Sequence, residues 1–154
     1  CKYGDMFLYI DLDGEQGIKN IIALPYNEVE RIEPIIEIVP DVVIFSSSIR
    51  NMLGVIKKCD LLIGNDSGPS HLSVAMDVPT IVFNGPSSVS LYRDPDIYTD
   101  KHFVFNKEVP CRDLFQTQCY SYIDPKSNTP VCQDQICLDF SVDEVVAKAI
   151  ELTQ

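Results

Sequence analysis

Short apolar runs separated by polar turns set the pattern of this chain. Met6 to Leu12 (MFLYIDL) reads as a strand closed by Asp13-Gly14, and Ile18 to Tyr26 (IKNIIALPY) as a second, with Pro25 near its end. The period then changes. From Asn27 through Val39 the positions Val29, Ile32, Ile35, Ile36 and Val39 fall on one helical face. Asn27 can cap that helix, with Glu30 completing a capping box, while Pro34 is expected to kink or delay it. Val42 to Phe45 is a short buried strand, and Ser46-Ser47-Ser48 caps a helix from Ile49 to Cys59. Leu61 to Gly64 is a strand, Pro69 to Met76 a helix, and Pro79 to Phe83 a strand ended by Asn84-Gly85-Pro86. His102 to Asn106 adds one more strand. Ser141 caps a last helix, with Glu144 in its first turn and Val142, Val145, Val146 and Ile150 along one face.

Strands alternating with helices predict an α/β fold, a Rossmann-like parallel sheet with helices on both faces and right-handed crossovers. The link between the first two strands is too short for a full helix, so that junction is expected to be irregular or truncated. There is no internal repeat, and the one linker-like stretch is Ser87 to Asp100. The 154 residues are expected to form a single domain, 1–154, with a Cys-containing loop at 110–138 and a C-terminal helix at 141–154.

Composition narrows the partners. With 12 basic and 23 acidic residues the net charge is −11, which repels nucleic acid and anionic lipid at long range. An anionic ligand would need local help from backbone N–H groups or a helix N-terminus. The longest apolar runs are far too short to span a membrane. No signal peptide is visible, and a start at Cys1 rather than Met points to a chain that begins partway through a longer protein. The six cysteines are read as mostly free thiols in a reducing, cytoplasmic setting. Cys111, Cys119, Cys132 and Cys137 fall in one loop region and could hold tetrahedral zinc, but there is no C-x-x-C knuckle. The expectation is therefore reduced thiols packed in a loop, no metal and no cofactor. Cys59 is read as core and Cys1 as lying near a truncated end.

The chemistry concentrates in NDSGPSHLSVAMDVPTIVFNGPSS, Asn65 to Ser88. Ligands of open α/β sheets bind beyond the carboxyl ends of the strands, and Asp66-Ser67-Gly68-Pro69 sits at such an end. Gly68 lets backbone approach a ligand, and Pro69 suits the first position of a helix. The N–H groups that follow, with Ser70 among them, point outward with the positive end of the helix dipole and make an anion site. His71 in the first turn could add a donor. The plainer alternative is that Asp66 or Ser67 is only an N-cap and His71 a surface residue. A second polar turn, Gly85-Pro86-Ser87-Ser88, ends the next strand and argues for a shared crevice.

The same stretch resembles the C-terminal half of glycosyltransferase family 9, which includes the lipopolysaccharide heptosyltransferases. Their pattern is an apolar strand, D-[ST]-G-x-x-H-x-x-x-A, a Pro-led strand and a G-P-[ST] turn. It is matched by Asp66, Ser67, Gly68, His71, Ala75, Pro79 and Gly85-Pro86-Ser87. The resemblance is read as running from about Ser46 to the C-terminus, late cysteines and final helix included. It departs at Asn84, where the family usually has an aromatic or aliphatic residue, and in a compressed N-terminal part. It implies the C-terminal half of a GT-B enzyme, two Rossmann-like domains with the active site between them. This half would bind the nucleotide-sugar donor, with Asp66, Ser67, Gly68 and His71 at diphosphate and sugar. Glu28 is the closest match to the carboxylate that grips the ribose, and a first-turn helix residue is an equal alternative for it. The family's general base belongs to the N-terminal domain, for which this chain has no room, so no catalytic residue is assigned.

The leading expectation is thus the donor-binding domain of an inverting sugar transferase, acting on a saccharide or lipopolysaccharide-type acceptor held by a missing N-terminal domain. Its ligand is a nucleotide diphosphate sugar. It has no nucleic-acid partner and no membrane span, though the full enzyme could associate peripherally. A non-catalytic nucleotide- or sugar-binding module, or a structural domain whose cysteine loop docks a partner, are the alternatives.

Overall fold

The computed structural model describes residues 7–13, 17–24, 32–85, 96–109 and 136–154. In chain order they form β1 (Phe7–Asp13), β2 (Gly17–Ala23), α1 (Glu33–Ile38), β3 (Val43–Phe45), α2 (Ile49–Ile56), β4 (Leu61–Asn65), α3 (Gly68–Ala75), β5 (Thr80–Asn84), β6 (His102–Asn106), a 3₁₀ turn (Ile136–Leu138) and α4 (Val142–Leu152). The six strands lie in one sheet of order β3-β2-β1-β4-β5-β6.

Five of these strands run parallel, and β1 alone runs against them, antiparallel to both β2 and β4. The first junction is therefore a hairpin in register from Phe7↔Ala23 to Asp13↔Gly17. The physical reason is length. A parallel crossover needs a dozen or more residues, whereas only residues 14–16 separate β1 from β2. The expected parallel α/β sheet with flanking helices is present, with this one reversed strand in its middle.

Register assigns the helices to faces. Ile22 lies opposite Leu8, and Leu8 opposite Ile63, so Ile22 and Ile63 share one face. On that face α1 supplies Ile35 and Ile36 against Ile22 and Leu24, and α4 supplies Ala149 and Leu152 against Leu61, Ile63 and Ile81. The other face carries Ala23 and Leu62, covered by Met52, Val55 and Ile56 of α2. Strand β4 (LLIGN) is buried from Leu61 through Gly64, as a central strand covered on both faces should be.

Local signals explain most boundaries. Ser48 caps α2, its Oγ accepting from the Asn51 N–H at 3.4 Å. Pro34 stands in the first turn of α1, so it starts the helix and does not kink it; its missing N–H would be unpaired there anyway. Residues 25–31, with Asn27 and Glu30, lie outside the described residues. Ser141 occupies the N-cap of α4 without a side-chain bond. Past the end of α3, Asp77 adopts φ 58°, the left-handed turn that stops a helix, and its carboxylate pairs with Lys101. That pairing holds the exposed Asp77 carboxyl below its ordinary range.

Helix α3 lies against the sheet through small residues. Ser70 and Ser73 are buried, as are Pro69 and Val74. Thr80 Oγ1 donates to the Val78 carbonyl at 2.7 Å, which uses its one proton, so Ser73 Oγ must be the donor in the 2.8 Å Ser73–Thr80 contact. Removing the donor ends one bond, whereas removing the acceptor strands a buried hydroxyl. We predict that Ser73→Ala lowers stability by about 1 kcal/mol and Thr80→Val by roughly 1–3 kcal/mol. Urea midpoints of the two variants check the order, and a Ser73→Ala loss equal to or above that of Thr80→Val would contradict it.

Candidate functional site

The site begins where β4 ends. The Asn65 carbonyl receives two hydroxyls, Ser70 Oγ at 2.6 Å and Ser67 Oγ at 3.3 Å. The Asp66 N–H donates to the Phe83 carbonyl of β5 at 3.1 Å. Strand end, turn and helix start are thereby tied together. Ser67 is the N-cap of α3, but its side chain makes no capping bond, because the hydroxyl is turned back to Asn65. The first turn of an α-helix carries N–H groups without intrahelical partners, and here its opening residue Gly68 is exposed. A Cβ at Gly68 would meet nothing within 4 Å, and no positive φ demands glycine there. Only something approaching from outside would benefit from the missing side chain. Pro69, buried in the first turn, has no N–H to present.

Beside that opening stands a carboxylate. Asp66 has a side chain 12% exposed, and its Oδ1 lies 3.2 Å from Nε2 of His71, whose side chain is 39% exposed. Nδ1 of His71 lies 3.0 Å from the hydroxyl of Tyr98. Nε2 of His71 thus faces Asp66 and Nδ1 faces Tyr98. Ser70, also expected at the ligand, spends its hydroxyl on Asn65.

The second turn lies on the same edge, because β4 and β5 are parallel neighbours. Gly85 is buried there, and a Cβ on it would meet Leu138 Cδ2 at 3.6 Å, so the 3₁₀ turn covers it. Next to it Asn84, fully buried, donates through Nδ2 to Oδ1 of Asn106 at 3.0 Å, joining the ends of β5 and β6. Ser87 and Glu28 lie outside the described residues, as do Cys111, Cys119 and Cys132. Cys137 is a half-buried free thiol and Cys59 a buried one whose Sγ donates to the Val55 carbonyl. Among the described residues no three His, Cys, Asp or Glu converge to hold a metal. No described helix is long and apolar enough to cross a membrane.

Two residues outside the sequence motif belong to the site. Tyr98 falls in the stretch read as linker, and His102 opens the strand that follows it. The Thr99 N–H donates to Nδ1 of His102 at 3.1 Å, and the His102 N–H returns to the Thr99 carbonyl at 3.0 Å. The Tyr98 ring meets the His102 ring edge-on, centroids 5.8 Å apart. The only sequence signal for this was an aromatic residue just ahead of a strand that opens with histidine.

The arrangement can bind an anion at the start of α3 and accept hydroxyl groups at Asp66. The pattern of glycosyltransferase family 9 (heptosyltransferase) matches residues 25–122, more than half of the chain. The chain belongs to that family. The match starts ahead of Ser46 and stops short of Cys132, Cys137 and α4, so the resemblance extends further toward the N-terminus, and less far toward the C-terminus, than the motif alone suggested. The fold is similar to that of a glycosyl transferase family 9 protein from Veillonella parvula, at 20% identity and TM-score 0.62, covering 93% of this chain and 38% of that one. A second similar structure is the E. coli heptosyltransferase WaaC with ADP-2-deoxy-2-fluoro heptose, at 28% identity and TM-score 0.44, covering 67% of this chain and 30% of that one. The chain thus spans well under half the length of either protein. No curated protein matches it.

Burial pushes the His102 imidazole below its ordinary value of 6.5, against the pull of Asp77 and Asp100 toward the charged form, with Lys101 also lowering it. Above about pH 6.5 the ring is neutral folded and unfolded; below it the unfolded chain takes up the proton first. Stability should therefore fall as pH drops from about 6.5 toward the lowered folded value, well before the carboxylates titrate. Protonation also removes the acceptor for the Thr99 N–H. Melting temperature followed across this window should lose the step in His102→Gln; an unchanged step would assign it elsewhere.

Proposed function

We propose that this family 9 chain is the donor-binding half of a GT-B sugar transferase, holding a nucleotide diphosphate sugar at the start of α3. The observation that carries this is the pairing of open space over Gly68 with a helix start whose N-cap hydroxyl is turned away. Charge divides the work. A carboxylate repels phosphate but accepts from hydroxyls, so the α3 N–H groups take the diphosphate and Asp66 takes a sugar hydroxyl. Gly85, at the end of the neighbouring strand β5, belongs to the same donor edge in this reading. In this reading Glu28 grips the ribose and Ser87 the donor, both carried over from the family pattern.

The whole enzyme would transfer the sugar with inversion. An acceptor hydroxyl attacks the anomeric carbon, a base takes its proton, and the bond to the β-phosphate oxygen breaks. Negative charge builds on that leaving oxygen in the transition state, where the α3 N-terminus stabilises it more than in the ground state. The base and the saccharide acceptor belong to the other half of the cleft. No metal or cofactor enters the scheme, and the setting proposed is cytoplasmic. Orientation of reactants across a complete cleft contributes about 7–11 kcal/mol, and base catalysis a further factor of roughly 10² to 10⁴. The 154 residues alone are therefore expected to bind donor weakly and transfer nothing.

Gly68→Val tests the site cleanly, because its side chain enters open space. The variant should melt with the wild type, yet lose at least about tenfold in affinity, more than 1.4 kcal/mol, for ADP, UDP or GDP, whichever binds the parent. Calorimetric titration reads this. Unchanged affinity would remove the diphosphate from the start of α3.

A further inference from the structure

We infer that Tyr98 is a positioning residue which, through His71, holds Asp66 toward the donor sugar; this deepens the donor-site reading above and rests on it. The hydroxyl of Tyr98 and Oδ1 of Asp66 lie on opposite nitrogens of one imidazole, at 3.0 Å from Nδ1 and 3.2 Å from Nε2. In the neutral form of the ring the proton belongs on Nε2, since a carboxylate only accepts and Oδ1 lies 3.2 Å away, a contact that lacks hydrogen-bond alignment. Nδ1 is then an acceptor, and Tyr98 O–H is the donor to it. The ring is thus held by one hydrogen bond, from Tyr98, and by one close contact, with Asp66. Oδ1 of Asp66 is enclosed from solvent beneath this ring.

Tyr98 itself is held by the turn that follows it. Thr99 and His102 bond reciprocally through their backbones and the His102 ring, and the Tyr98 ring rests edge-on against that ring. The Lys101 carbonyl accepts from the Thr80 N–H at 3.0 Å, which ties the turn to β5. The chain of contacts therefore runs from the β5–β6 edge to the carboxylate at the end of β4. A phenylalanine at 98 keeps the ring that meets His102 and removes the hydroxyl that meets His71.

The α3 N–H groups do not depend on this chain, which gives the test its contrast. Tyr98→Phe should weaken binding of the sugar conjugates ADP-glucose, UDP-glucose or GDP-mannose by roughly three- to tenfold, one neutral hydrogen bond's worth, and leave the matching nucleoside diphosphate unchanged. Nitrogen-15 spectra of the imidazoles supply a readout that needs no ligand. The chain has two histidines, so His71→Gln assigns both. Wild-type His71 should show an Nε2–H tautomer, and Tyr98→Phe should move its Nδ1 resonance and broaden its Nε2–H proton while leaving His102 in place. An Nδ1–H tautomer in the wild type, or a His71 signature indifferent to Tyr98→Phe, would overturn the assignment. Equal loss of diphosphate and sugar conjugate would overturn it as well, reducing Tyr98 to a structural role. Failure of the wild type to bind any nucleotide, with the predicted His71 signature intact, would sink the donor-site reading while leaving the Tyr98–His71–Asp66 chain standing.

Discussion

The carbonyl of Asn65 is the pivot of this molecule. It closes β4, and it receives the hydroxyls of Ser67 and Ser70 from the next turn and helix. Those two hydrogen bonds to one oxygen tie the start of α3 to the end of β4. Because Ser70 and Ser73 are small and buried, the helix can lie low on β4 and β5. Larger residues there would lift α3 and swing its first turn away from Asp66. The exposure of Gly68, the reach of His71 to Asp66 and the reach of Tyr98 to His71 all follow from that low seating.

The electrostatics have the same local origin. A chain of net charge −11 gains nothing from its overall field when it meets a phosphate. What it can use is a short-range dipole, effective within the first helical turn and little affected by distant charges. Asp66 beside that turn is a hindrance to phosphate unless its charge is spoken for. The imidazole of His71 stands 3.2 Å from that carboxylate and shields it from the opening.

Much of this was legible in the residues. His102 to Asn106 was readable as a strand from its own apolar run, and α3 and β5 each lie within one residue of where Pro69 and Pro79 placed them. The Asp66 turn was legible because strand, turn and helix are local in sequence. The reversed β1 was harder to see: its apolar residues suit a strand of either direction, and only the short link to β2 carried the information. Pro34 carried two compatible readings until the start of α1 decided between them. Tyr98 stayed hidden because its partner His71 is distant in the chain and joined by no periodicity. The neighbours of Ser70 and His71 within the fold were hidden too, because composition shows a hydroxyl or an imidazole but not which group it meets.

The reversal of β1 changes where the polypeptide meets the ligand edge. In an all-parallel sheet the amino end of a central strand lies on the side away from the ligand. Here Phe7 pairs with Ala23, and Leu8 with Ile63, so the backbone enters β1 level with the last residues of β2 and β4. The amino end of β1 therefore lies between the carboxyl end of β2 and the end of β4 that leads into the Asp66 turn. A fusion partner joined directly at that end would start beside the Asp66 turn, whereas one joined beyond α4 is carried by a helix on a face of the sheet. For anyone building chimaeras from this domain, the point of attachment is thus itself a choice about access to the site.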